Sequence, residues 1–222
     1  MPYYCAVFSA AHYKHACMKP TFFVLLSALL LTACGNNAAT KNEGIDTVAA
    51  AEETEAAWAK SAFPELYTLL KSQDASFDPA LFQETEGGTA TPLPPRFFAP
   101  EELEPFRPYL VYNKDSSKAI DMVSYNYIIK KGGGQPVLEP AGPDTEIGVI
   151  DLQTNMRTRI FFSGPATTIR EGKWLDDNTV LLGGAESLSP NTIRPILVRI
   201  NLEEASLQRF TYADSLQGQL KK

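Results

Sequence analysis

The clearest hydrophobic pattern lies in the second half of the chain. From Tyr109 onward, short runs rich in β-branched and aromatic residues alternate with turn residues, the spacing of antiparallel strands. The runs are Tyr109 to Tyr112, Lys118 to Ile129, Ile147 to Leu152, Thr158 to Phe162, Asn178 to Leu182, Ile196 to Leu202 and Gln208 to Tyr212. Lys114-Asp115-Ser116-Ser117, Gly132-Gly133-Gly134 and Pro140 to Pro143 punctuate them. Ahead of Tyr109 the pattern is helical and weaker. Val48 to Ser61 is rich in Ala and Glu with a thin apolar face of Ala50, Ala57 and Trp58, and Pro64 should end or kink it. Pro64 to Ser72 starts a second helix with Leu66, Leu69 and Leu70 on one side. Asp78-Pro79 and Pro100-Glu101 each begin a further turn, and Thr85 to Pro95 reads as loop. The pattern predicts a mainly β fold of antiparallel sheets, preceded by a short helical arm. The arm spans residues 47–106 and the β domain residues 107–222.

One apolar run is different in kind. Thr21 to Leu31 is eleven residues, apolar except for Thr21 and Ser27, and is stopped at once by Gly35-Asn36-Asn37. It is too short to span a bilayer, which takes roughly 20 apolar residues. With Lys19 before it and small residues after it, it reads as a secretory signal over residues 18–33. Residues 1–17 carry aromatics, Cys5 and Cys17 where a charged start belongs, so translation is expected to begin at Met18.

The end of that run, Leu31-Thr32-Ala33-Cys34, resembles the lipobox of bacterial lipoproteins. The resemblance implies that Cys34 is lipidated and becomes the first residue of the mature chain. Several acyl chains hold a protein far more firmly than one. Gly35 after the cysteine resembles the pattern sorted to the outer membrane, which places the body in the periplasm. Gly35 to Asp46 is small and polar and reads as a flexible tether, so residues 34–46 hold the body off the lipid.

Cleavage there changes the chemistry available. His12, His15, Cys5 and Cys17 all leave with the leader. The mature chain then has no histidine and no thiol except Cys34, which removes Ser-His-Asp triads, Cys-His nucleophiles, His/Cys zinc sites and disulfides. No cofactor is expected. Losing Lys14 and Lys19 leaves 18 of the 20 basic residues against 26 acidic ones, a net charge of −8. An acidic body is a poor partner for nucleic acid.

An internal repeat runs at an offset of 50. Ile147 to Phe161 (IGVIDLQTNMRTRIF) aligns with Leu197 to Thr211 (LVRINLEEASLQRFT), matching Ile150 to Ile200, Leu152 to Leu202 and Arg159 to Arg209. Asp151 and Asn201 both open a turn, and Tyr112-Asn113-Lys114-Asp115 corresponds to Trp174-Leu175-Asp176-Asp177. Each unit resembles a four-stranded blade of the TolB-like and WD40-like β-propellers. Two blades cannot close a ring of four to eight. The domain is therefore a pair of packed sheets, an open two-blade fragment or part of an oligomeric ring, and the favoured expectation is packed sheets with the helical arm covering an edge, where an open strand would invite aggregation.

Few residues stand out as a site. Tyr125-Asn126-Tyr127 is the most suggestive stretch, with both tyrosines on one strand face and Asn126 on the other, suited to stacking on a glycan or peptide. Asp176-Asp177-Asn178 lacks the pattern of a calcium loop, and Gly132-Gly133-Gly134 lacks the Lys-Ser/Thr of a phosphate loop. The acids mostly neighbour turn residues and are expected to titrate ordinarily. The reading is a non-enzymatic, membrane-anchored envelope protein that binds a protein or glycan partner or supports an assembly. The alternative is a small glycan or peptidoglycan hydrolase using paired carboxylates from among Asp115, Asp121, Asp144 and Glu146. Its mark would be two carboxyl groups about 5–9.5 Å apart in a cleft.

Overall fold

The computed structural model describes residues 61–90, 93–130 and 136–220. The leader, Cys34, the tether, the helix expected from Val48 with Trp58, and Gly132-Gly133-Gly134 lie outside the described residues. The chain is mainly β, and among the described residues its sheets are antiparallel.

The first described elements are helical, as their prolines dictate. Helix α1 spans Pro64–Gln73, with Pro64 in its first turn, Glu65 near its start and Lys71 near its end, as the helix dipole favours. A 3-10 turn follows at Pro79–Leu81, where the Asp78 side chain accepts a hydrogen bond from Ala80 N. Strand β1 (Phe82–Thr89) and strand β2 (Arg96–Phe97) come next. Helix α2 (Pro100–Leu103) runs into a 3-10 segment, Glu104–Tyr109. The remaining strands are β3 (Val111–Tyr112), β4 (Lys118–Asp121), β5 (Tyr127–Lys130), β6 (Val137–Pro140), β7 (Thr145–Asp151), β8 (Met156–Ser163), β9 (Thr167–Trp174), β10 (Thr179–Ser189), β11 (Thr192–Asn201), β12 (Ser206–Tyr212) and β13 (Leu216–Gln217).

Two meanders make the body. The larger sheet has the order β1-β12-β11-β10-β9, with β13 added to β11, and the smaller has the order β2-β8-β7-β4-β3. Strands β5 and β6 form a separate hairpin between β4 and β7. Both sheets therefore share one plan: four strands in chain order, plus a fifth strand from the N-terminal segment on the outer edge of the last.

The offset-50 repeat accounts for this likeness. Asp151 Oδ1 accepts from Gln153 N and Thr154 N at 2.9 Å, and Asn201 Oδ1 accepts from Glu203 N and Glu204 N at 3.0 and 2.9 Å. Both turns close on a residue of positive φ, Asn155 at 56° and Ala205 at 51°. Leu152 N donates to Ser117 O, and Leu202 N donates to Asn178 O. Phe98 N donates to Asn155 O, and Ala90 N donates to Ala205 O.

Repeat positions also show how the sheets stack. Ile200 lies in the core between the sheets, while its counterpart Ile150 packs under Leu103 and Leu110 on the far side of the smaller sheet. Ile147 lies between the sheets, while its counterpart Leu197 packs under Phe63, Leu66 and Leu70 at helix α1. The two sheets thus stack in the same sense, like successive copies. Each outer face is covered by a helical segment. At Gly183 an added Cβ would meet Phe63 and Leu66 at 2.7 and 2.9 Å, so helix α1 sits directly on bare backbone there.

Three expectations need correction. Residues 85–89, expected as loop, belong to strand β1. Among the described residues the helical segments cover faces, not an edge. A helix presents a stripe of side chains but no free backbone groups, so it can bury an apolar face and cannot complete a ladder. The edges of β12 and β8 are met instead by strands β1 and β2. The run from Lys118 to Ile129 is not one strand: Asp121 Oδ1 accepts from Val123 N and Ser124 N at 3.0 and 2.9 Å and turns the chain.

Candidate functional site

That turn decides the geometry of the tyrosine stretch. Tyr125 lies in the turn with 44% of its surface exposed, and Tyr127 opens strand β5 half-buried. The two are not neighbours on one strand face. Burial pushes the Tyr127 hydroxyl above its ordinary pKa, partly offset by Arg170. Asn126 is buried and holds the turn to strand β7. Its amide donates to Met122 O at 2.8 Å and Glu146 O at 2.7 Å, and its oxygen accepts from Glu146 N at 3.0 Å.

Two of the four candidate carboxylates meet beside it. On the outer face of the smaller sheet, Arg157 Nε donates to Asp121 Oδ2 and Arg157 Nη1 to Glu146 Oε1, both at 2.6 Å. Arg159 approaches Glu146 at 3.4 Å and lies over the Phe162 ring at 4.9 Å. Asp121 is fully buried and also accepts from the Ser124 hydroxyl. Burial opposes the charge on Arg157, but Asp121 beside it and its hydrogen bonds to both carboxylates outweigh this and hold its pKa above the usual value. Arg157 Nη2 is buried without a partner. The guanidinium lies over Gly148, where a Cβ would come within 2.5 Å of Cζ. The carboxylates flank one arginine instead of facing each other across an open cleft. Asp115 lies in the β3–β4 turn, and Asp144 precedes β7.

Asp115, Asp151 and Asp176, each at a turn, depart from the ordinary titration expected of them. The Ser117 side chain and backbone hold Asp115 low. Thr154 N, then Gln153 N, does the same for Asp151, and Asn178 N for Asp176. The amides that shape each turn also stabilise its carboxylate.

The open side of the two stacked sheets carries two concavities. One, of about 340 Å³, is lined mainly by apolar side chains including Val149, Met156, Ile160, Ile200 and Leu202, with Lys118 and Asp151 among its polar members. Lys118 Nζ donates to Asp177 O at 3.1 Å and Asn178 Oδ1 at 2.9 Å. The other, of about 310 Å³, lies along strand β8 from Arg159 to Phe162, opposite Glu86, Leu207 and Arg209. Neither Asp121 nor Glu146 lines them.

The sequence reading missed the arginines of strand β8 and the concavities beside them. Arg157 and Arg159 alternate in MRTRIFF, which by itself reads as a solvated strand face. Among the described residues no three His, Cys, Asp or Glu side chains gather as a metal site, and no helix is long and apolar enough to cross a membrane. No family model matches the chain, and no curated protein or solved structure matches it.

Proposed function

We propose that this chain is a lipid-anchored protein of the bacterial envelope, tethered through Cys34 to the outer membrane and facing the periplasm, whose β body binds a protein or glycan partner without catalysing a reaction. The observation that carries the reading is Leu31-Thr32-Ala33-Cys34 directly after an eleven-residue apolar core. The absence of histidine after His15 supports the non-enzymatic part, since neutral-pH proton transfer would fall to carboxylates or lysines. The shared turns of the two meanders support treating them as blade-like units of one repeat, with Tyr125 the accessible member of the tyrosine stretch. The test is Cys34→Ser. The substituted chain is expected in the soluble fraction or as an unprocessed precursor. A variant that still fractionates with membranes and is processed normally would sink the anchor.

A further inference from the structure

We propose that the outer edge of strand β8, from Thr158 to Phe162, is an acceptor site for an extended peptide strand of a partner protein. The inference deepens the binding part of the reading above and does not depend on the anchor.

The precedent is internal. In the larger sheet, β1 pairs along the whole of β12, from Thr89↔Ser206 to Phe82↔Tyr212. In the smaller sheet the same pairing begins in the equivalent register. At the repeat offset, Phe97↔Met156 corresponds to Thr89↔Ser206, and Arg96↔Arg157 to Gly88↔Leu207. There it stops. The next residues outward are Pro95 and Pro94, which have no N–H to donate and cannot continue a ladder. Strand β1 goes on for six more residues, Gly87 back to Phe82. Among the described residues no strand pairs with β8 from Thr158 to Phe162 on that side. The edge is open to space: Thr158 and Ile160 line the first concavity, and Arg159 to Phe162 the second.

The same precedent states the occupant's chemistry. Arg209, the repeat counterpart of Arg159, lies directly opposite Glu86 of β1. Arg209 itself pairs with Glu186 of β10 at 2.5 Å, so Glu86 marks a register position and not an ion pair; an acid at the equivalent position would face Arg159 directly across the ladder. Arg159 can accept it, because its contact with Glu146 is long, at 3.4 Å. Residues on either side of that acid would point between the sheets toward Ile160, Val198 and Leu207, so they are apolar. The site takes an antiparallel strand reading apolar, acidic, apolar, held by main-chain hydrogen bonds. A register shift interrupts both edges, between Arg159 and Phe161 on β8 against β7 and between Glu84 and Glu86 on β1, and a second copy would set one bulge against the other, which makes its β1 edge a poorer occupant than a regular strand.

The probe is acetyl-Phe-Gln-Val-Glu-Val-Thr-amide, titrated into the full-length isotope-labelled chain. Amide shifts are expected to be confined to β8 from Thr158 to Phe162 and to its neighbours in β2 and β7. Arg159→Glu should weaken binding at least tenfold, and a probe with Lys in place of Glu should recover it. A probe N-methylated at alternate amides should not bind. Pro94→Thr with Pro95→Thr should let β2 extend along β8, protect its amides from exchange and remove binding, with the larger sheet unchanged. Absence of localised shifts, equal binding of the N-methylated probe, or self-association of the chain through these residues would overturn the proposal. A Cys34→Ser chain that stays with membranes, is processed normally and still binds the probe would count only against the anchor, and an anchored wild-type chain that ignores the probe only against the strand site.

Discussion

Replacing Gly148 by alanine sets two effects of opposite sign against each other. Gly148 has no positive φ to protect, so on backbone entropy alone Gly148→Ala should stabilise a strand by about 0.4–1 kcal/mol. The new Cβ would lie 2.5 Å from Arg157 Cζ, 2.7 Å from Nε and 2.8 Å from Nη2. Arg157 cannot swing aside freely, because it holds Asp121 and Glu146 at 2.6 Å each. Moving it would leave Asp121, with none of its surface exposed, short of its countercharge. Breaking a buried ion pair costs about 3–5 kcal/mol, so the steric effect wins and the net loss is about 2–4 kcal/mol. For a chain of this size that is roughly 4–16 °C in Tm. Thermal and urea unfolding would measure it. The decisive control is the cycle with Arg157→Ala, a background in which Gly148→Ala should be neutral or mildly stabilising. If Gly148→Ala raises Tm, or costs as much without Arg157 as with it, the arginine does not set the requirement for glycine.

Asn126→Ala should cost at least about 2 kcal/mol, since it strands the buried Glu146 N and O, each worth about 1–3 kcal/mol when left unpaired; urea unfolding checks this, and a loss below 0.5 kcal/mol, about the scatter of a surface change, would show that the turn does not depend on it. Glu171 accepts from Leu66 N at 2.5 Å, and burial, with Glu65 nearby, raises its pKa against the pull of that hydrogen bond and of Arg170. A carboxyl with a raised folded pKa stabilises below its unfolded value, and that stability is lost as pH rises through the folded one. Wild-type Tm should therefore carry a component that falls on that rise, and Glu171→Gln should remove it; an unchanged pH profile would refute the assignment.

Which parts of the fold were legible follows from what makes each strand. Strands β7 and β11 announce themselves because Ile147, Ile150, Leu197 and Ile200 must be buried and recur at one offset. Turn chemistry was legible for the same reason: Asp151 and Asn201 both carry a side-chain oxygen that can take two amides of the turn. Strand β1 left no such trace. Seven of its eight residues, from Gln83 to Thr89, are exposed, so FQETEGGT shows no buried face. It is a strand because β12 offers a backbone edge, which no side-chain pattern encodes. The cluster of Asp121, Glu146 and Arg157 was hidden in another way. Asp121 and Arg157 are 36 residues apart, and a charge in a strand reads as solvent-facing until its partner is found. Tyr125-Asn126-Tyr127 misled because Asp121, at the end of β4, takes the amides of Val123 and Ser124 and ends the alternation before the tyrosines begin.

Stacking repeats in one sense has a consequence that a two-fold sandwich avoids. Each unit presents a different face to its neighbour, so a stack of two ends in two unlike apolar surfaces. Here helix α1 closes one and helix α2 with its 3-10 segment closes the other, both drawn from the chain ahead of Val111. The same stretch supplies β1 and β2 to the two outer edges. Residues 64–109 thus close the four surfaces that the repeat leaves open, and three of the closures are continuous. The fourth stops after two residues, at consecutive prolines. A ladder begun in the right register and then denied its donors leaves an edge of backbone groups ready to pair with another strand. The break in the repeat, more than any residue type along it, is why the strand site is placed at β8.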